Sequence, residues 1–153
     1  HEGIGCLLAR VGKILEAEKV CIFEEQGDGT VKNTYEWCAP GIEPSKDAMQ
    51  HVPMGLVRPI YDRFGPDQIG IIDDVEAVQK EYGIEKETYR TGLKRLISGH
   101  LVISGLSFGY TEVVNPSEKI MKEASPPAGY LDPLCSKPHP QSECAGTAPG
   151  PEP

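Results

Sequence analysis

KVCIFEEQGDGTVKNTYEWC, residues 19–38, decides the fold of this chain. Two runs rich in β-branched and aromatic residues, Val20–Phe23 and Val31–Trp37, flank a polar stretch. Within that stretch Gly27, Asp28 and Gly29 accept the tight backbone that a chain reversal needs. The pattern predicts a β-hairpin. Strict alternation along its second strand puts Val31, Asn33, Tyr35 and Trp37 on one face, and Lys32, Thr34, Glu36 and Cys38 on the other.

Outward from the hairpin, Ile4, Leu7, Leu8, Val11, Ile14 and Leu15 recur at helical intervals. They predict an amphipathic helix packing one stripe on the sheet, with the apolar pattern already running at its start. On the C-terminal side, Pro40, Gly41 and Pro44 interrupt regular structure, and Ser45 is placed to cap a short helical turn with Ala48 and Met49 inward. Met54–Phe64 is helical in period, but Pro59 predicts either a helix starting there or a kink. Ile69–Ile72 reads as a short strand stopped by Asp73–Asp74, which can cap one or two turns over Asp74–Tyr82. Glu85–Ile97 predicts an amphipathic helix with Tyr89, Leu93, Leu96 and Ile97 inward. His100–Leu106 and Phe108–Val114 predict two more strands, or one bent strand, with the turn near Ser107. Ser117 begins a short helix over Lys119–Ala124. Ser125–Pro153 holds eight of the 14 prolines and no apolar periodicity, and reads as a disordered tail. The expectation is one α+β domain over residues 1–124, a central antiparallel sheet with helices packed on its faces, followed by that tail.

The formal charge of −8, with no Lys/Arg cluster, argues against nucleic acid or an anionic membrane as partner. No apolar run approaches the roughly 20 residues of a membrane span. Five cysteines, three of them inside predicted elements, do not form a secreted disulfide framework, and point to a reducing, cytoplasmic setting.

At Glu18–Val52 the chain resembles the N-terminal half of a GAF domain, of the variety found in bacterial multi-domain signalling proteins. Glu18-Lys19-Val20-Cys21-Ile22-Phe23-Glu24 resembles the leading strand of that family, and Asn33-Thr34-Tyr35-Glu36-Trp37-Cys38 its "NTYEWC" strand. Gly41-Ile42-Glu43-Pro44 and Met49-Gln50-His51-Val52-Pro53 resemble the segments that follow, Ile69–Val75 a later short strand, and Asn115-Pro116 the close of the last strand. The match is good over residues 4–80 and poor after 83. The family's long closing helix has no counterpart in the sequence, so the C-terminal part is expected to be truncated or divergent. Lys19 and Cys21 replace the usual Arg and aromatic.

The resemblance implies a non-catalytic sensory or regulatory module that binds an unidentified small molecule or relays a signal. The output domain in the parent chain would be a kinase, GGDEF or EAL domain, the last two making and degrading cyclic-di-GMP. It also implies a pocket between the sheet and the middle segments, for which Phe23, Tyr35, Trp37, Met54, Phe64, Ile72 and Phe108 are the candidate lining residues. Aromatic and aliphatic residues alternating on strands are also the core of any such sheet, and the packed-core reading of these residues is the stronger of the two. One alternative is a ligand-free dimerisation module pairing through residues 1–15. The other is a thiol-based methionine sulfoxide reductase using Cys21 or Cys38, which the hairpin can make cross-strand neighbours.

The residues name no cofactor. The phosphodiesterase cyclic-nucleotide motif is missing, and His51 and His100 have no cysteine beside them for bilin attachment. Cys135, His139 and Cys144 supply too few ligands for structural zinc. Gly27-Asp28-Gly29 lacks the Lys and Ser/Thr of a phosphate loop, Ser98, Ser104 and Ser107 lack the G-x-S-x-G setting, and Asp73–Asp74 suit a helix cap better than an acid/base pair. No metal or catalytic group is expected.

Overall fold

A computed structural model describes residues 2–61, 64, 69–84 and 92–125. The expected tail from residue 126 on, with Cys135, His139 and Cys144, lies outside the described residues, as do residues 85–91 of the expected helix. In chain order the elements are α1 (Glu2–Ile14), β1 (Lys19–Glu25), β2 (Thr30–Cys38), a 3₁₀ turn (Lys46–Ala48), β3 (Val52–Pro53) and α2 (Met54–Tyr61). There follow β4 (Ile69–Ile72), α3 (Val75–Glu81), β5 (Leu96–Ile103), β6 (Leu106–Val114) and α4 (Glu118–Ala124). The six strands form one sheet in the order β3-β2-β1-β6-β5-β4, with every neighbouring pair antiparallel. This is the expected α+β architecture.

The β1–β2 hairpin forms as the sequence predicts, with Gly27 and Gly29 at positive φ. Its alternation breaks once. Ile22 pairs with Tyr35 but Phe23 pairs with Asn33, so Thr34 is an extra residue in β2. Its hydroxyl donates to the Ile22 carbonyl at 3.4 Å. A bulge of this kind shifts every later side chain to the opposite face. Val31, Asn33, Tyr35 and Trp37 therefore do not share a face. Val31 joins Cys21 and Phe23 in the core beneath α2, whereas Tyr35 and Trp37 join Val20 and Ile22 beneath α1.

On the α1 side Leu8, Ala17, Val20 and Val113 are buried, with Ile4, Val11, Leu15 and Trp37 packed around them. Gly12 sits where a Cβ would overlap the Trp37 ring, so the helix lies directly on the indole. Leu7 and Ile14, expected in the stripe that faces the sheet, are instead 59 % and 67 % exposed. The opposite side is covered by Val57, Ile60 and Tyr61 of α2, packed on Cys21, Phe23, Val31, Ile72, Leu96 and Tyr110.

Four local expectations are corrected. Of the two readings of Met54–Phe64, the helix starting at Pro59 is the one set aside: α2 starts at Met54 and runs through Pro59, and the burial of Val57 and Ile60 offsets the hydrogen bond that proline removes. Leu96 and Ile97 belong to β5 rather than to a helix, because they pair with Val114 and Val113 across the sheet. The β5–β6 reversal falls at Ser104–Gly105, both at positive φ, so Ser107 lies inside a strand. Ser45 precedes the 3₁₀ turn without capping it; its hydroxyl is engaged by Glu36 at 2.7 Å. Two expected caps form: Asp74 accepts from the Ala77 amide at 3.0 Å, and Ser117 from that of Ile120 at 3.3 Å.

Candidate ligand site

The sheet face beneath α2 carries three buried polar side chains. Asn33, Ser98 and Glu112 are buried there among apolar neighbours. The Tyr61 hydroxyl of α2 donates to the Glu112 carboxylate. The Tyr61 ring stacks on Tyr110 at 3.6 Å between centroids, and Tyr110 stacks on His100 at 4.9 Å. His100 Nε2 lies 2.8 Å from Ser107 Oγ, which donates to Glu25 Oε1 at 2.5 Å. A continuous aromatic and hydrogen-bonded tier thus joins the sheet interior to its surface.

Glu36 is the second centre. The Thr34 bulge returns it to the same face as Cys21, its direct partner on β1. Its Oε1 accepts from the backbone amides of Ser45 at 2.9 Å and Lys46 at 3.1 Å. Its Oε2 accepts from Ser45 Oγ at 2.7 Å, Asn33 Nδ2 at 3.3 Å and Cys21 Sγ at 3.7 Å. Burial pushes the Glu36 carboxyl up, but the Ser45 and Lys46 hydrogen bonds and the Lys19 charge outweigh it and leave the group below the usual glutamate range. The segment from Ile42 to Gln50 is in effect a strap fastened to β2. Asn33 N donates to the Met49 carbonyl at 2.8 Å, and Gln50 Nε2 donates to the Asn33 carbonyl at 3.1 Å.

Between this strap and the ends of β1 and β6 lies a cavity of about 400 Å³, lined by Glu18, Lys19, Ile42, Glu43, Ser45, Ala48, Met49, Gly92, Leu93 and Val114. Asn115 fixes two of its walls. Its Oδ1 accepts from the Lys94 and Arg95 amides at 2.7 and 3.0 Å, and its Nδ2 donates to Glu18 Oε2 at 2.8 Å and the Gly92 carbonyl at 2.7 Å. A smaller cavity of about 290 Å³ is lined by Phe64, Ile71, Ile72, Asp73, Asp74 and Val78.

The seven residues expected to line a pocket separate. Phe23 and Ile72 are buried in the core under α2, with Met54 and Phe64 packed against it. Phe64 and Ile72 also line the smaller cavity. Tyr35 and Trp37 lie on the α1 side. Phe108 is 47 % exposed, because β6 is irregular there: Leu101 pairs with Gly109 and Val102 with Ser107, leaving Phe108 unpaired. None of the seven lines the larger cavity.

The hairpin does not pair Cys21 with Cys38: Cys21 lies opposite Glu36, and Cys38 opposite Lys19. Burial and the adjacent Glu36 carboxylate push the Cys38 thiol up, which opposes thiolate formation. Among the described residues no group of three or more histidine, cysteine or acidic side chains is arranged to hold a metal. Among the same residues no helix is long and apolar enough to cross a membrane.

No protein-family model and no curated protein sequence matches the chain. Solved structures do match it. A red/green cyanobacteriochrome in its red-light-absorbing state is similar over 80 % of this chain and 84 % of its own, at TM-score 0.57 and 12 % identity. The phycocyanobilin-bound GAF domain of a cyanobacterial phytochrome is similar over 78 % of this chain and 74 % of its own, at TM-score 0.53 and 15 % identity. A methyl-accepting chemotaxis protein gives 20 % identity and TM-score 0.55 over 77 % of this chain and 73 % of its own. The architecture is therefore that of a GAF domain: the expected GAF-like α+β fold is present.

Proposed function

We propose that this protein is a non-catalytic sensory module that binds a small molecule on the sheet face beneath α2 and relays its state to an output domain. One observation carries the reading. On a GAF-like fold, this face buries Asn33, Ser98 and Glu112 and borders a cavity of about 400 Å³, whereas the α1 face is closed by apolar packing. A sheet face that buries polar groups and also has a cavity at the ends of β1 and β6 suits ligand recognition better than core packing alone. Phytochrome, cyanobacteriochrome and chemotaxis-receptor neighbours support a sensory role. The bilin belongs to that phytochrome domain; nothing here assigns it to this chain.

The proposed setting is a bacterial, cytoplasmic multi-domain protein with a kinase, GGDEF or EAL output. Native against denaturing mass spectrometry of the purified protein tests the binding half. A retained mass that departs on denaturation is expected, and an empty protein across several expression conditions contradicts it. The parental reading frame tests the relay half.

Pairing of two copies through α1 is a second reading, favoured by Leu7 and Ile14, which are exposed seven residues apart on the outer side of the helix. Leu7→Glu with Ile14→Glu is expected to shift a dimer to monomer by light scattering, with stability changed by under about 0.5 kcal/mol. A monomeric wild type removes this reading. The raised Cys38 thiol gives the reductase alternative no support.

A further inference from the structure

Among the described residues, Asn33 Oδ1 is the buried side-chain oxygen or nitrogen without a hydrogen-bond partner. The amide orientation is not arbitrary. Exchanging O and N would set Oδ1 against the Glu36 carboxylate, which now accepts from Nδ2 at 3.3 Å, so two acceptors would meet with no proton between them. Glu36 thereby forces Asn33 to present a bare carbonyl in a fully buried position. Buried acceptors of this kind are normally satisfied, and an exception calls for a donor.

The position of that acceptor narrows the donor. Asn33 is tied by its backbone amide to Met49, and Met49 is a wall of the larger cavity. The cavity is amphipathic. Glu18, Lys19 and Glu43 contribute charges, and Met49, Leu93 and Val114 contribute apolar surface. Acceptors outnumber the cation, which favours a ligand with several N–H donors, while Lys19 offers a place for one anionic group. Met49 is unbranched and readily changes rotamer, so it can yield to a ligand passing between the cavity and Asn33.

We infer that the cavity and Asn33 form one site for a free α-amino acid with an apolar side chain. Its ammonium donates to Asn33 Oδ1, its carboxylate pairs with Lys19, and its side chain lies against Met49, Leu93 and Val114. This rests on the small-molecule reading above and gives it a ligand class. Glu36 acts here as a positioning residue, orienting the Asn33 amide and holding the strap.

The test is calorimetric titration of the purified protein with the standard L-amino acids and their N-acetyl derivatives, alongside native mass spectrometry. At least one apolar L-amino acid is expected to bind, with its N-acetyl form weaker by about tenfold or more, the loss expected for a charged hydrogen bond. Asn33→Leu and Lys19→Met are each expected to weaken binding by about tenfold with an unchanged circular dichroism spectrum. Should Asn33→Leu fail to fold, Lys19→Met and the comparison of free with N-acetyl amino acids on the unaltered protein carry the test. Equal binding of free and N-acetyl forms, or full affinity in Asn33→Leu, overturns the site. A retained molecule of other chemistry, with no amino acid bound, overturns the ligand class and leaves the sensory reading standing. An empty protein that binds no amino acid overturns both.

Discussion

The two faces of this sheet are made from the same strands, yet they solve opposite problems. Beneath α1 the fit is apolar and close, down to a glycine in the helix where the indole of Trp37 lies. Beneath α2 the same strands bury a carboxylate, an amide and a hydroxyl, and a cavity opens at the ends of β1 and β6. A single extra residue, Thr34, decides which side chains go where. Before it, Asn33 faces α2; after it, Trp37 faces α1 and Glu36 returns to the polar side. Division of labour between a docking face and a receptive face thus rests on a bulge rather than on composition.

Removing the bulge should break the comparison outright. Deleting Thr34 restores strict alternation, sends Tyr35 and Trp37 toward Glu112 and Asn33, and turns Glu36 into the α1 packing. A loss of more than about 5 kcal/mol is expected, enough to abolish the cooperative urea transition. Thr34→Gly keeps the residue count and is expected to lose under about 1 kcal/mol. Similar behaviour of the two variants would mean that the bulge does not set the faces.

Next in size is the close contact on the apolar side. Gly12→Leu forces atoms into the Trp37 ring and is expected to cost about 3 kcal/mol by chemical denaturation. Trp37 is the single tryptophan, so its emission reports this face directly and should shift to the red in the variant. On the polar side, Tyr61→Phe leaves the buried Glu112 carboxylate with one donor fewer, and a loss of about 2 kcal/mol is expected. That change should leave the native emission of Trp37 unaltered, because the two faces share strands but not side chains.

Much of this division was out of reach of the sequence. Strand identity was legible in Val20–Phe23 and Val31–Trp37, and the glycines marked the reversal, because β-branched runs and turn residues act locally. The resemblance of NTYEWC to a GAF strand pointed to the right fold. Facing was misread at Tyr35 and Trp37 because a bulge has no compositional signature: Thr34 suits a regular strand as well as an extra residue. The expected helix ending at Ile97 was misread for a different reason. Leu93, Leu96 and Ile97 fit a helical period, and only pairing of Leu96 and Ile97 with β6 makes them strand. Glu36 and Asn33 were seen as markers of the family, not as a hydrogen-bonded centre, since their partners Ser45, Lys46 and Met49 come from a segment with no periodic pattern.

The smallest expected effect is the most specific to the polar side. Burial opposes ionisation of Glu36, but the Ser45 and Lys46 hydrogen bonds and Lys19 hold its folded pKa below the ordinary value, which is about 4.3 for an unperturbed glutamate. Its contribution to stability is therefore complete above that value and is lost as pH falls through the lowered folded one. Glu36 is only partly buried, so solvent screening keeps the global effect small. The local effect is not small, because protonation weakens the Glu36 carboxylate as acceptor for the two amides that fasten the strap. Protection of the Ser45 and Lys46 amides, measured by hydrogen exchange and corrected for the intrinsic pH dependence, is expected to fall through this acid range. Amides on the β1–β6 ladder should keep theirs. Glu36→Gln should show the reduced protection already at neutral pH and lose the acid step. A strap that stays equally protected in the variant would show that Gln50 and Met49, not Glu36, hold it to β2.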